Sequence, residues 1–147
     1  MVGTRDFTPD LCLEAALMFV EKDLGGFASM REKNVSLLEE GVSLLRQRWG
    51  TRSLLSDTDD GLIRNPPFLH VIELPISAAL FKDSQYGDEI MKELASRYKV
   101  QTVSFLWCES LWCRLSAQVY NRIQDFERLA ESVLDIKSRL EKHTIPA

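Results

Sequence analysis

The stretch VQTVSFLWCESLWCRLSA, residues 100–117, decides the fold. It contains two runs of strand formers, Val100–Trp107 and Leu111–Ala117, separated by Cys108-Glu109-Ser110. β-Branched and aromatic side chains suit a pleated, half-buried surface, and so short a link predicts an antiparallel hairpin. Upstream, Phe68–Leu74 has the same composition and stops at Pro75, which predicts a third strand. Between them, residues 87–98 place Ile90, Met91 and Leu94 at helical spacing. After the hairpin, Asn121 with Gln124 three residues on reads as a capping box. The helix it opens carries Ile123, Phe126, Ala130, Val133, Leu134 and Leu140 as its apolar stripe.

Two helices lead into this unit. Thr8-Pro9-Asp10 is a helix start, with Thr8 as cap, Pro9 at the first helical position and Phe7 and Cys12 as a staple. Leu13, Ala16, Leu17, Val20 and Leu24 then form a stripe that Gly25-Gly26 ends. A second helix is predicted from Ala28 to Trp49, with Leu37, Leu38, Val42, Leu45 and Trp49 inward and Gly50 as its stop. The fold class is therefore α+β: two leading helices, then a small, mainly antiparallel sheet in the order β-α-β-β-α. The expected organisation is an entry loop and two helices over residues 1–50, a surface loop over 51–67 and a small α+β domain over 68–147, forming one compact unit.

Composition excludes several function classes. The chain has 147 residues, 45% hydrophobic and 27% charged, with a formal net charge of −4. No basic patch favours nucleic acid. No apolar run reaches the roughly 20 residues a membrane span needs, and the N-terminus lacks the apolar core of a secretory signal. The three cysteines Cys12, Cys108 and Cys113 have no framework or zinc-ligand spacing, which fits free thiols and an intracellular protein, cytoplasmic or organellar. No metal site is expected. Asp57, Asp59 and Asp60 read as a solvated turn, because the spaced ligands and closing Glu of a calcium loop are missing. His70 and His143 have no nucleophile partner in the sequence pattern and read as structural or surface residues.

Two segments carry more chemistry. Gly3-Thr4-Arg5-Asp6 precedes a helix start; glycine permits close backbone approach, and a threonine hydroxyl with adjacent N–H groups can hold a phosphate oxygen. An ordinary turn is the bland alternative. Arg114 lies in an apolar strand, where a guanidinium either meets an anion through two parallel hydrogen bonds or points from an edge into water.

In this order and spacing, GTRD followed by LEAAL (Leu13–Leu17), and then Arg114, Ser116, Tyr120 and Asn121 in an R-x-S-x-x-x-Y-N register, the chain resembles class V aminotransferase-fold enzymes. The similarity is to their isopenicillin N epimerase-like and cysteine desulfurase-like branch, and to the C-terminal small domain of fold-type I pyridoxal-phosphate enzymes. The resemblance implies pyridoxal phosphate as cofactor, bound to a lysine of a large domain. Gly3 and Thr4 would reach the cofactor phosphate of a neighbouring subunit in a dimer. Arg114 would bind the α-carboxylate of an amino-acid substrate, and Ser116, Tyr120 and Asn121 would support the strand-to-helix corner.

One departure is decisive for the expected activity. The family's Schiff-base lysine lies upstream of the Gly-Thr loop in a His-Lys context, and this chain starts two residues before that loop. Lys22, Lys33 and Lys82 have no matching context. The chain alone is therefore expected to be inert, with no catalytic residue of its own, and to need a large cofactor-binding domain. The alternatives are a non-catalytic structural or accessory subunit derived from this domain, with Phe105, Trp107 and Trp112 as candidate contact surface, and an unrelated α+β binding domain.

Overall fold

The computed structural model describes residues 7–54, 68–81 and 86–144. Gly3, Thr4, the Asp57–Asp60 turn, Lys82 and the His143 side chain lie outside the described residues.

The element order is α1 (Thr8–Asp23), α2 (Gly26–Trp49), β1 (Leu69–Glu73), a 3-10 turn (Ala78–Leu80), α3 (Tyr86–Glu93), β2 (Val103–Trp107), β3 (Ser110–Ser116) and α4 (Ile123–Thr144). The α+β class read from the sequence is what the chain adopts: the described residues form four α-helices and one small antiparallel sheet. The strand order is β1-β3-β2, so the hairpin's second strand takes the centre. The hairpin turn is the two-residue Cys108-Glu109, both in the left-handed region (φ 47° and 62°). That backbone twist matches the twist of paired strands. It sets the register Trp107↔Ser110 and Val103↔Arg114, while β1 pairs Val71↔Arg114 on the other side. Residues 52–54, read from the sequence as the start of a loop, run along the outer edge of β1. Leu54 N donates to Val71 O, Glu73 N donates to Arg52 O, and Ser53 bridges to Ile72.

Alternation along the strands gives the sheet two unlike faces. Ile72, Leu111, Cys113 and Leu115 are buried in one core with Leu38, Val42, Leu45 and Trp49 of α2, Ile90 of α3, and Phe126, Ala130 and Val133 of α4. The stripes predicted for α2 and α4 thus supply that core, with Leu37, Ile123, Leu134 and Leu140 at its margin. Two close approaches need glycine. Gly41 lets α4 bring the Phe126 ring against α2, and Gly87 lets α3 meet the Ser104 carbonyl of β2. Trp49 Nε1 donates to Ala130 O at 3.3 Å, a second tie between α2 and α4.

Three local readings change. The first helix begins beside Phe7, not under a Thr8 cap, and no side chain caps it. Its stripe is not buried: Leu13 and Leu17 remain 58% and 44% exposed. The last helix starts at Ile123. Asp125, not Gln124, closes its entry, accepting from Arg122 N at 3.0 Å and from Asn121 Nδ2 at 3.2 Å. The third helix does run to Tyr98, but its last turn, Leu94–Tyr98, widens to π geometry before Lys99 turns left-handed (φ 58°). Tyr98 then donates to Asp135 and accepts from Arg139 Nη2 at 2.8 Å, tying that turn to α4.

Candidate functional site

The outer face of the sheet is set by the same alternation that builds the core. On β3, residues 112, 114 and 116 point away from Leu111, Cys113 and Leu115. Arg114 therefore stands on the central strand, opposite Val71 on one side and Val103 on the other, with Trp112 and Ser116 next along its own strand. Leu69 (47% exposed), Val103 (38%) and Trp107 (49%) share this face. Trp112 is 2% exposed: it packs edge-on to Trp107 with ring centroids 5.6 Å apart, under the Arg52 guanidinium at 5.4 Å. Of the three aromatics read as candidate contact surface, Trp107 is presented, Phe105 is half-buried and Trp112 is enclosed.

The Arg114 side chain is exposed and forms no ion pair or hydrogen bond with a described residue. Its backbone is held instead: the Arg114 carbonyl accepts from Thr102 Oγ1 at 2.8 Å. A guanidinium fixed at its root, flanked by valines and without a counter-ion among the described residues is disposed to take a carboxylate through two parallel hydrogen bonds.

Arg114 also lines an open groove of about 620 Å³ where the start of β2 meets the N-terminal end of α4. Thr102, Ser116, Tyr120 and Asn121 share that lining. So do three cations, Lys99, Arg114 and Arg128, against one acid, Asp125. The acid is already engaged. The hydrogen bond from the Arg122 backbone N–H, helped by the Asn121 amide, holds the Asp125 carboxyl below its ordinary range. The Lys99 ammonium donates to the Ser96 carbonyl at 2.8 Å. The groove's net sign thus favours an anion.

The sequence placed Arg114, Ser116, Tyr120 and Asn121 together, and all four line the groove. Ser116, Tyr120 and Asn121 were read as supports for the strand-to-helix corner. Asn121 does brace the corner, accepting from Gln118 N at 2.9 Å and donating to Asp125. Tyr120 is 77% exposed and makes no hydrogen bond to a described residue. Thr102, Lys99 and Arg128 were missed; their approach to Arg114 comes from strand pairing and helix docking, which one-dimensional spacing does not display.

Other reactive side chains are accounted for. Cys113 is buried, and burial pushes its thiol up to about 11. Cys12 and Cys108 are exposed. His70 is half-buried against Ser53 Oγ; burial and then the nearby Arg46 charge hold it below its ordinary value. Among the described residues no cluster of His, Cys, Asp or Glu could hold a metal ion, and no helix is long and apolar enough to cross a membrane. Among the described residues no lysine is buried. Lys22, Lys33, Lys92, Lys99 and Lys142 are exposed, and Lys137 is half-exposed beside Glu141 at 3.9 Å.

No protein-family model matches the chain. It is similar to an L-cysteine desulfhydrase-like protein, lolT1, of Epichloe uncinata, 29% identical over 151 residues that cover 89% of this chain and 33% of that protein. It is also similar to an L-cysteine desulfhydrase of Arabidopsis thaliana, 24% identical over 168 residues that cover 99% of this chain and 34% of that protein. The distant relatives of this chain are thus named as L-cysteine desulfhydrases, and it spans about a third of their length.

Proposed function

We propose that the chain is the substrate-carboxylate-binding part of a pyridoxal-phosphate enzyme acting on amino acids, of the L-cysteine desulfhydrase kind and of class V aminotransferase type. A larger polypeptide, matching the remainder of the relatives, completes it. The observation that carries the reading is Arg114: a guanidinium on the central strand with no ion pair among the described residues, in a groove whose described lining has excess positive charge. In this reading the Arg114 fork fixes the α-carboxylate of the amino acid. Thr102 holds the strand carbonyl behind it, and the Asn121–Asp125 corner sets where α4 begins. Trp107, Val103 and Leu69 supply apolar area for the larger polypeptide to cover and so exclude water from the carboxylate. Gly3 and Thr4 reach the cofactor phosphate of a neighbouring subunit. The cofactor supplies the electron sink for chemistry at the amino acid's α-carbon, and its anchoring lysine belongs to the larger polypeptide.

The test is reconstitution. The chain alone, incubated with pyridoxal phosphate and L-cysteine, is expected to neither retain the chromophore nor consume the amino acid. Joined to the remaining two-thirds of a desulfhydrase relative, it should do both. Turnover by the isolated chain would overturn the proposal. A joined protein that holds the cofactor yet binds amino acids equally well with Arg114 replaced by Met would remove Arg114 from the site, and would favour an accessory role.

A further inference from the structure

The first helical pair has too little core of its own. α1 contributes no buried residue, and the buried positions of α2 begin only at Asn34. The first part of α2, with α1 folded back on it across Gly25-Gly26, therefore forms an arm beyond the shared core. Within that arm Phe7, Leu11, Leu13, Leu17, Met18, Phe19 and Phe27 are 44–81% exposed. On α1 itself, Leu11, Leu13, Leu17, Met18 and Phe19 are spread around the helix and do not collect on one stripe, and a helix apolar on most sides is one that is covered on more than one side.

We infer that α1 is a docking helix, buried in the assembled enzyme by the larger polypeptide at a surface separate from the Arg114 face. The inference rests on the reading above that such a polypeptide exists. Two observations choose this occupant. The match to the Arabidopsis protein covers 99% of this chain, so the α1 region has its counterpart inside a protein about three times as long. Asp10, Glu14, Glu21 and Asp23 against Lys22 leave α1 acidic, which opposes pairing with α1 of a second copy. The same balance opposes a membrane surface, where an interfacial helix carries Lys and Arg on its polar face.

The test is a chimaera in which the full 147-residue chain replaces the matching third of the Arabidopsis desulfhydrase, followed by hydrogen exchange. Amides of residues 8–23 should exchange at least about 100-fold more slowly in the chimaera than in the isolated chain, as buried helices do. Replacing Leu13 and Leu17 together by Glu should abolish that protection and leave residues 103–107 protected. Residues 103–107 exchanging more slowly than in the isolated chain, with residues 8–23 as fast as in it, would overturn the α1 inference and leave the proposed function standing. No gain in protection at either segment over the isolated chain would overturn both. Concentration-dependent protection of residues 8–23 in the isolated chain would assign α1 to a second copy, and protection by anionic vesicles would assign it to a lipid surface. Either result overturns the inference.

Discussion

Gly41 on α2 and Phe126 on α4 are in such close contact that a Cβ at position 41 would fall 2.5 Å from Phe126 Cδ1. The ring is itself buried, at 5% exposure, within the core that α2 and α4 share with the sheet. The helices can approach this closely only because residue 41 has no side chain.

Gly41→Ala should therefore destabilise the chain by about 1–3 kcal/mol, the usual range for overpacking, although alanine is the better helix former by roughly 1 kcal/mol. Urea denaturation measures it. Combining Gly41→Ala with Phe126→Leu should lose less than the two single losses added, because the smaller side chain removes the clash. Strict additivity would show that the contact does not limit packing.

Arg114→Lys separates the fork from its charge. In the joined enzyme, substrate affinity should weaken by about 1–3 kcal/mol, roughly 5- to 150-fold, since an ammonium cannot make both parallel bonds to a carboxylate. The unfolding midpoint should hardly move, because the side chain is exposed and has no partner among the described residues. Unchanged affinity in an amino-acid titration would contradict the assignment.

Cys113 supplies an alkaline signature. Its thiol is pushed up to about 11 by burial, so the folded chain keeps a proton that the unfolded chain releases near the ordinary value. The stabilisation is complete below about pH 9 and is lost as pH rises through about 11, an effect on the order of 2–3 kcal/mol. Cys113→Ala should flatten that part of the stability profile. At pH 8, alkylation followed by mass spectrometry should mark Cys12 and Cys108 in the folded chain and reach Cys113 only in denaturant.

His70 has the opposite sign. Burial and the Arg46 charge favour its neutral form in the folded chain, so the unfolded chain binds the proton first. That contribution is present above the unfolded value near pH 6.5 and declines as pH falls through the lower folded value. A His70→Gln variant should show a shallower loss of stability between neutral pH and mild acid. An unchanged slope would mean that the ring is not held neutral.

How legible this was depends on where the physics is local. Strand composition and the short Cys108–Ser110 link announced the hairpin, and the helical stripes of α2 and α4 named most of the core. Arg114 stood out because a charge in an apolar run needs an anion or water. The α1 stripe misled, because its periodicity reports that a helix has an apolar side but not whether anything within this chain covers it. Gln124 and Asp125 both fit a helix start, and only the turn at Gln118–Asn121 determines which of them reaches the backbone. The central place of β3 was likewise unreadable, since strand order depends on pairings far apart in sequence.

That order has a consequence for how such a site can change. A side chain on an outer strand or a loop can drift as neighbouring residues are exchanged. Position 114 is laced on both flanks, to Val71 and to Val103, so its backbone has almost no room to wander. If the proposed carboxylate site is right, altered preference among amino acids should arise from mutations in whatever surface comes to meet the guanidinium, while the strand that carries it remains the fixed reference point.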